Sequence, residues 1–299
     1  MKTGFIGVGE MGGPMAVNLA STYEVTAYCH SESDRHYLAG SKVAITDNLH
    51  AAGAADVVFL CLPNAKSVEQ VLFGEGGLSK TLSAGTVVVD TGTIEHGATL
   101  SFHERLAAMS VAFIDAPISG MRKRAEDGTL TMMCGGDSEQ VDKLRPLLTT
   151  MASAVIHMGP VGSGQLTKLV NQLLFDINAA ALAEILPLAT KLGLDPEKIG
   201  DVVNSGTGRS YASEFFIPNV LKGEFGEGYS MQSAYKDLIS GAEISARHAV
   251  PTPVLSAATA TYQQALLAGH GKKDKGGMIC VFEELLGVKF REANKIEQF

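Results

Sequence analysis

Near its start the chain reads Gly4-Phe5-Ile6-Gly7-Val8-Gly9-Glu10-Met11-Gly12-Gly13-Pro14-Met15, passing from an apolar strand to an apolar helix through three glycines at GxGxxG spacing. Gly7 would allow the tight turn, Gly9 would let backbone approach a pyrophosphate, and Gly12 would let the helix pack against the strand. Ligand phosphates would then sit on the free N–H groups and positive dipole end of the helix. The triplet alone is a weak signal. Its position after a strand and at the opening of a helix makes a dinucleotide site the favoured reading. A Gly-rich turn without a ligand is the alternative.

The β-then-α step recurs through the first half. Strand-like runs fall at 3–8, 24–28, 57–61, 86–90, 112–116, 129–134 and 154–158, with amphipathic or Ala-rich segments between most of them. This rhythm implies a mainly parallel sheet with helices on both faces, and the later runs need not be parallel to the first. After Gly159-Pro160-Val161-Gly162-Ser163-Gly164 the texture changes to a long helical pattern over 165–192. Pro187 lies inside it and is expected to kink or divide it near Leu186. No later run reads as a strand. The expected fold is therefore α/β. An N-terminal Rossmann domain (1–162) would be followed by an all-α domain (163–299), joined by a long interdomain helix.

Several function classes are disfavoured. A formal net charge of −8 is not that of a nucleic-acid binder. Cys29, Cys61, Cys134 and Cys280 form no CxxC pair, which fits a reduced compartment. The eight histidines make no HxxxH or HExxH pattern, so no metal is expected. Met1-Lys2 leads directly into the first strand, leaving no room for a signal peptide. No uncharged apolar run approaches the ~18 residues that span a bilayer.

Candidate chemistry gathers at strand ends and on the long helix. The second strand ends in Cys29-His30-Ser31, where an acid would bond the ribose 2′-OH of NAD; its absence removes a barrier to NADP. His30, Ser31 and Arg35 would then meet a 2′-phosphate, unless they are ordinary turn residues. Leu62 and Thr93 end later strands and should border the cofactor, while Asp90 reads equally as a helix cap. Ser119-Gly120-Met121 is a strand-end turn whose hydroxyl and N–H groups suit a carboxylate. Lys168, Asn171, Gln172 and Phe175 share one helix face. A lysine in a partly dry cleft can exchange protons, although by pattern alone a surface lysine is the simpler reading. Lys236 alone would pass for a solvated helix residue, and the Gly-rich loop 205–210 could cover a site or equally be only a turn.

In this order the pieces resemble the β-hydroxyacid dehydrogenase family. The motifs are GFIGVGEMGGPMAVNL, CLPN, DAPISG, DGTLTMMCGG, GSGQLTKLVNQ, SGTGRSYA and KDL, and the resemblance covers essentially the whole chain. The tail looks most like the 2-(hydroxymethyl)glutarate branch. The resemblance implies an NAD(P)-dependent oxidoreductase that interconverts a small β- or γ-hydroxy carboxylate and its semialdehyde or ketone. Lys168 would be the general acid/base. Ser119, Gly120 and Met121 would hold the substrate carboxylate, and Asn171 and Gln172 would orient the substrate. Glu10, Met11, Leu62, Thr93 and Lys236 would border the cofactor, and the region of Ser210 would close the pocket. Met121 stands where the family usually has a second glycine. Cys29-His30 replaces the family's Asp or Asn-Arg, and Gly92 replaces a common Ser. NADP is the expected cofactor, with NAD second. A cytoplasmic homodimer or homotetramer is expected, with no nucleic-acid or membrane partner. The rival readings are an imine reductase-like enzyme and a non-catalytic nucleotide-binding scaffold.

Overall fold

The computed structural model describes residues 1–29 and 31–292 of the chain, so the expectations placed on His30 lie outside the described residues. Nine strands form one sheet: β1 (Lys2–Ile6), β2 (Glu24–Tyr28), β3 (Ala44–Thr46), β4 (Val57–Leu60), β5 (Val87–Asp90), β6 (Ala112–Asp115), β7 (Ile118–Ser119), β8 (Leu130–Gly135) and β9 (Ala152–Gly159). Their spatial order is β3-β2-β1-β4-β5-β6-β8-β7, with β9 beside β8. From β3 to β6 every pairing is parallel. β8 then runs antiparallel to β6 and β7, and β9 lies parallel to β8. The 3-2-1-4-5-6 order places strand ends, and the turns that follow them, along one crevice.

The central strands β1, β4, β5 and β6 are near-continuous buried runs because both sheet faces are covered there. Alternate residues feed separate cores. Phe5, Phe59 and Val89 enter a cluster with Met15, Leu19 and Leu144. Ile6, Val58, Leu60 and Val88 enter another with Leu72, Leu106 and Phe113. In register on β1 and β4, Phe5 and Phe59 stack at 5.8 Å.

The chain divides into two compact units, Met1–Lys168 and Leu169–Phe299. The division falls inside one helix, Ser163–Lys191. That helix runs unbroken through Pro187, so the expected division at Leu186 does not occur. The missing N–H costs one backbone bond, and Ala183 and Leu186, just before the proline and buried in the second unit's core, hold the helix in place. By length and composition this helix is apolar enough to cross a membrane. Ala179, Ala180, Ala183 and Leu186 are instead buried against Phe216, Ile217 and Tyr262. Among the described residues no strand follows Gly159.

Among the described residues no cysteine is in a disulfide. Cys29 and Cys134 are buried. Burial pushes the Cys61 thiol up to about 11 and the Cys134 thiol to about 12.

Candidate active site

The glycine triplet has the geometry that a dinucleotide requires. Gly7 has φ +92°, and a Cβ there would strike the Cys61 carbonyl. A Cβ at Gly12 would strike the Gly7 carbonyl, so strand and helix meet at backbone contact. At Gly9 a Cβ would meet nothing within 4 Å, leaving the open approach a pyrophosphate needs. The Gly12–Ala20 helix starts here with no side-chain cap and no acid in its first turn. The Gly13 N–H is taken by the Gly9 carbonyl and Pro14 has none, so it is the dipole and the N–H groups of the turn leading into the helix that suit an anion. Glu10 is exposed and Met11 half-buried beside them.

At the end of β2 the Cys29 side chain turns inward, its thiol donating to the Ser31 carbonyl at 3.3 Å. Ser31 precedes a short helix, Glu32–Arg35, whose first turn carries Glu32 and Asp34. Sequence reasoning about the 2′-phosphate weighed Cys29, His30, Ser31 and Arg35 and passed over these two acids.

The turn that follows β5 is tied down by its neighbours. Asp90 is fully buried, and its Oδ1 accepts the Gly92 N–H at 2.9 Å. Oδ2 has no hydrogen-bond partner among the described residues. Burial, reinforced by nearby Asp115 and opposed by the Gly92 bond, pushes the Asp90 carboxyl up to about 7. Asp90 is thus neither a helix cap nor an open ligand group. Leu62 and Thr93 are half-buried at the ends of their strands.

Ser119 ends β7, and Gly120 (φ +141°) and Met121 (φ +60°) follow it. Met121 is therefore a side-chain-bearing residue in the left-handed region, where a Cβ costs about 1–2 kcal/mol. The basic residues beyond are occupied: Arg122 pairs with Glu126, Lys123 with Asp127, and Arg124 donates to the Thr129 carbonyl.

Lys168 is buried, with 8% of its surface exposed, so the surface reading fails. The helix start that carries it is anchored by a residue the sequence did not mark as functional. Asp115, at the end of β6, accepts the Gly162 N–H on Oδ1 at 2.7 Å and the Gln165 N–H on Oδ2 at 2.9 Å. Burial raises its carboxyl above the ordinary value, and these backbone bonds offset only part of the rise. Gln165, also unmarked, is buried; its Nε2 donates to the Gly92 carbonyl at 2.8 Å and its Oε1 accepts the Ile94 N–H at 3.2 Å. Gly164 was the available signal, since a Cβ there would press on the Asp115 carbonyl at 2.8 Å.

In the second unit, Asn171 is exposed, and Gln172 donates through Nε2 to Asp237 Oδ2 at 3.4 Å. Lys236 is exposed on the Met231–Arg247 helix. Ser210 caps the Tyr211–Lys222 helix, its hydroxyl accepting the Ser213 N–H in a capping box. Phe175 stacks on Phe216 and meets Tyr211 edge-on. Among the described residues, no cluster of three His, Cys, Asp or Glu side chains could hold a metal ion.

Residues 2–159 match the NAD binding domain of 6-phosphogluconate dehydrogenase, and residues 162–282 match the family described as NAD-binding of NADP-dependent 3-hydroxyisobutyrate dehydrogenase. The 2-(hydroxymethyl)glutarate dehydrogenase of Eubacterium barkeri is 37% identical over 96% of this chain and 97% of its own. A crystal structure of 3-hydroxyisobutyrate dehydrogenase from Salmonella typhimurium superposes with a TM-score of 0.86 at 28% identity, covering 94% of this chain and all of that one. Psf3, solved in complex with NADP+ and 2-OPP, superposes with a TM-score of 0.82 at 27% identity, covering 93% of this chain and 99% of that one. The chain belongs to the β-hydroxyacid dehydrogenase family, a group of NAD(P)-dependent oxidoreductases.

Proposed function

We propose that the protein interconverts a small β- or γ-hydroxy carboxylate and its semialdehyde or ketone, with NADP(H) preferred and Lys168 as general acid/base. The burial of Lys168, on a helix start anchored by Asp115 and Gln165, carries this reading. In the oxidative direction a neutral Lys168 takes the hydroxyl proton, and in the reductive direction its ammonium returns that proton. Bound at the glycine triplet, the nicotinamide cofactor would supply the hydride chemistry. Gly7, Gly9, Glu10, Met11, Gly12, Ser31, Leu62, Thr93 and Lys236 would surround it. The Ser119 hydroxyl and the N–H groups of the 119–121 turn hold the substrate carboxylate. Asn171 and Gln172 orient the substrate, with the Gln172 carboxamide steadied by Asp237. Ser210 contributes by fixing the start of the helix that carries Tyr211.

The cofactor preference rests on Cys29, which offers no carboxylate to a ribose 2′-OH. Glu32 and Asp34 just beyond oppose a 2′-phosphate, so the preference is expected to be modest.

One assay tests the reading. A panel of hydroxy acids and semialdehydes is screened with both cofactors on the wild type and on Lys168→Ala. Turnover should fall at least ~100-fold in the variant, the low end for a general acid/base, with cofactor affinity nearly unchanged. Retention of a tenth of wild-type turnover would remove Lys168 from the chemistry. Turnover of cyclic imines alone would point to an imine reductase, and no turnover of any substrate to a scaffold.

A further inference from the structure

The Gln165 side chain behaves as a peptide group supplied from a helix. Its carboxamide donates to the Gly92 carbonyl and accepts the Ile94 N–H, two bonds that flank Thr93 on either side. That is the pairing an adjacent strand would give to an edge segment. The turn needs it because a buried backbone donor or acceptor without a partner is costly. The same residue's main chain is fastened too, its N–H resting on Asp115 Oδ2. Gly92 is bonded in turn to Asp90. The helix start, the end of β6 and the turn after β5 are thereby joined at one residue. Lys168 follows at i+3, one turn along the same helix face.

We infer that Gln165 is a positioning residue for the proposed reaction: its carboxamide ties the helix turn bearing Lys168 to the turn bearing Thr93 and fixes the spacing between proton donor and cofactor-side backbone. This rests on the reading of Lys168 as acid/base. The side chain does not touch substrate; it acts through the lysine. A helix turn released on this side shifts a reacting group by a fraction of its own length, and a 1 Å misplacement costs on the order of 100-fold.

The experiment is a double-mutant cycle. Gln165→Met keeps the length of the side chain and loses both bonds; Gln165→Asn keeps both groups on a stem one methylene shorter. Each is made alone and with Lys168→Ala, and kcat, KM, cofactor Kd and thermal midpoint are measured. We expect kcat to fall about 10- to 100-fold in either single variant, with cofactor Kd within about threefold of wild type. In the Lys168→Ala background the same changes should alter the residual rate by no more than about twofold, because a residue acting through the lysine has nothing left to act on. A similar fall in both backgrounds would make Gln165 merely structural and overturn the inference. So would wild-type kcat in a folded Gln165→Met protein. If that variant does not fold, Gln165→Asn decides by the same criteria. Loss of the proposed role of Lys168 is read separately, from Lys168→Ala alone retaining its turnover.

Discussion

The two units bury carboxyl groups differently: among the described residues, only the second pairs buried ones with cations. In the first, Asp90 and Asp115 are sealed from solvent and held by backbone N–H groups, with Asp90 Oδ2 left without a hydrogen-bond partner, and among the described residues neither makes an ion pair. In the second, Asp274 is likewise held by the Gly228 and Gly276 N–H groups, but buried Asp176 is met by the equally buried Lys275 and by the Tyr262 hydroxyl at 3.1 Å, and Glu283 by the Arg291 guanidinium. Backbone amides come with the fold at no cost in side-chain entropy, but they neutralise no charge. Paired cations neutralise the charge and make the site intolerant of losing either partner. The first solution leaves carboxyls that titrate; the second leaves pairs that hold or break.

Breaking a pair should produce the largest effect. Lys275→Met keeps the aliphatic stem and strands a carboxylate among Phe175, Tyr262 and Asp237. It should destabilise the protein by about 3–5 kcal/mol, measured by urea unfolding. Adding Asp176→Asn should recover most of that loss. If it does not, packing of the lysine stem matters more than its charge.

Asp90 sharpens the contrast from the other side. Its folded-state carboxyl titrates at about 7, well above its ordinary 3.8. Between those values the folded form holds a proton that the unfolded chain has released, so stability falls as pH rises through this window and stays low above it. Asp90→Asn keeps the acceptor for the Gly92 N–H and cannot ionise. The drop in melting temperature from pH 5 to pH 8 should shrink in this variant. Equal slopes in the two proteins would mean that Asp90 is ionised throughout.

The smallest effect on stability is expected at Met121. Glycine relieves the left-handed strain but adds chain entropy, for a net gain of about 0.5–1 kcal/mol. Acceptance of bulkier acids should widen more than turnover of the smallest improves. An acid compared with its methyl ester checks the turn itself: losing a charge-assisted bond worth about 1.5–3 kcal/mol would lower efficiency for the ester about 10- to 150-fold. Equal efficiencies would reduce Ser119 and Gly120 to a structural turn.

The glycine triplet was legible because its spacing is local, even though the contact that requires Gly7, the Cys61 carbonyl, comes from the end of a strand distant in sequence. The apolar strands were legible because burial on both faces leaves continuous runs. β3 and β7 were not, being a three-residue edge strand with two exposed positions and a two-residue strand. Pro187 misled because propensity speaks for an isolated helix, and the packing of Ala183 and Leu186 just before the proline overrode it. The anchoring of Lys168 was hidden by separation. Gln165 meets Gly92 across 73 positions and Asp115 across 50, and Lys275 meets Asp176 across 99. No pattern of spacing announces such partners.

The cysteines give the two units separate chemical clocks. Cys29, Cys61 and Cys134 all belong to the first unit; Cys280 alone belongs to the second. Burial holds Cys61 and Cys134 in the unreactive thiol form at neutral pH, and the Cys29 sulfur is spent on a carbonyl. A thiol reagent applied to the native enzyme should therefore modify Cys280 first. Each further equivalent consumed would count openings of the Rossmann unit, so the order of labelling would record which half of the protein breathes and how often.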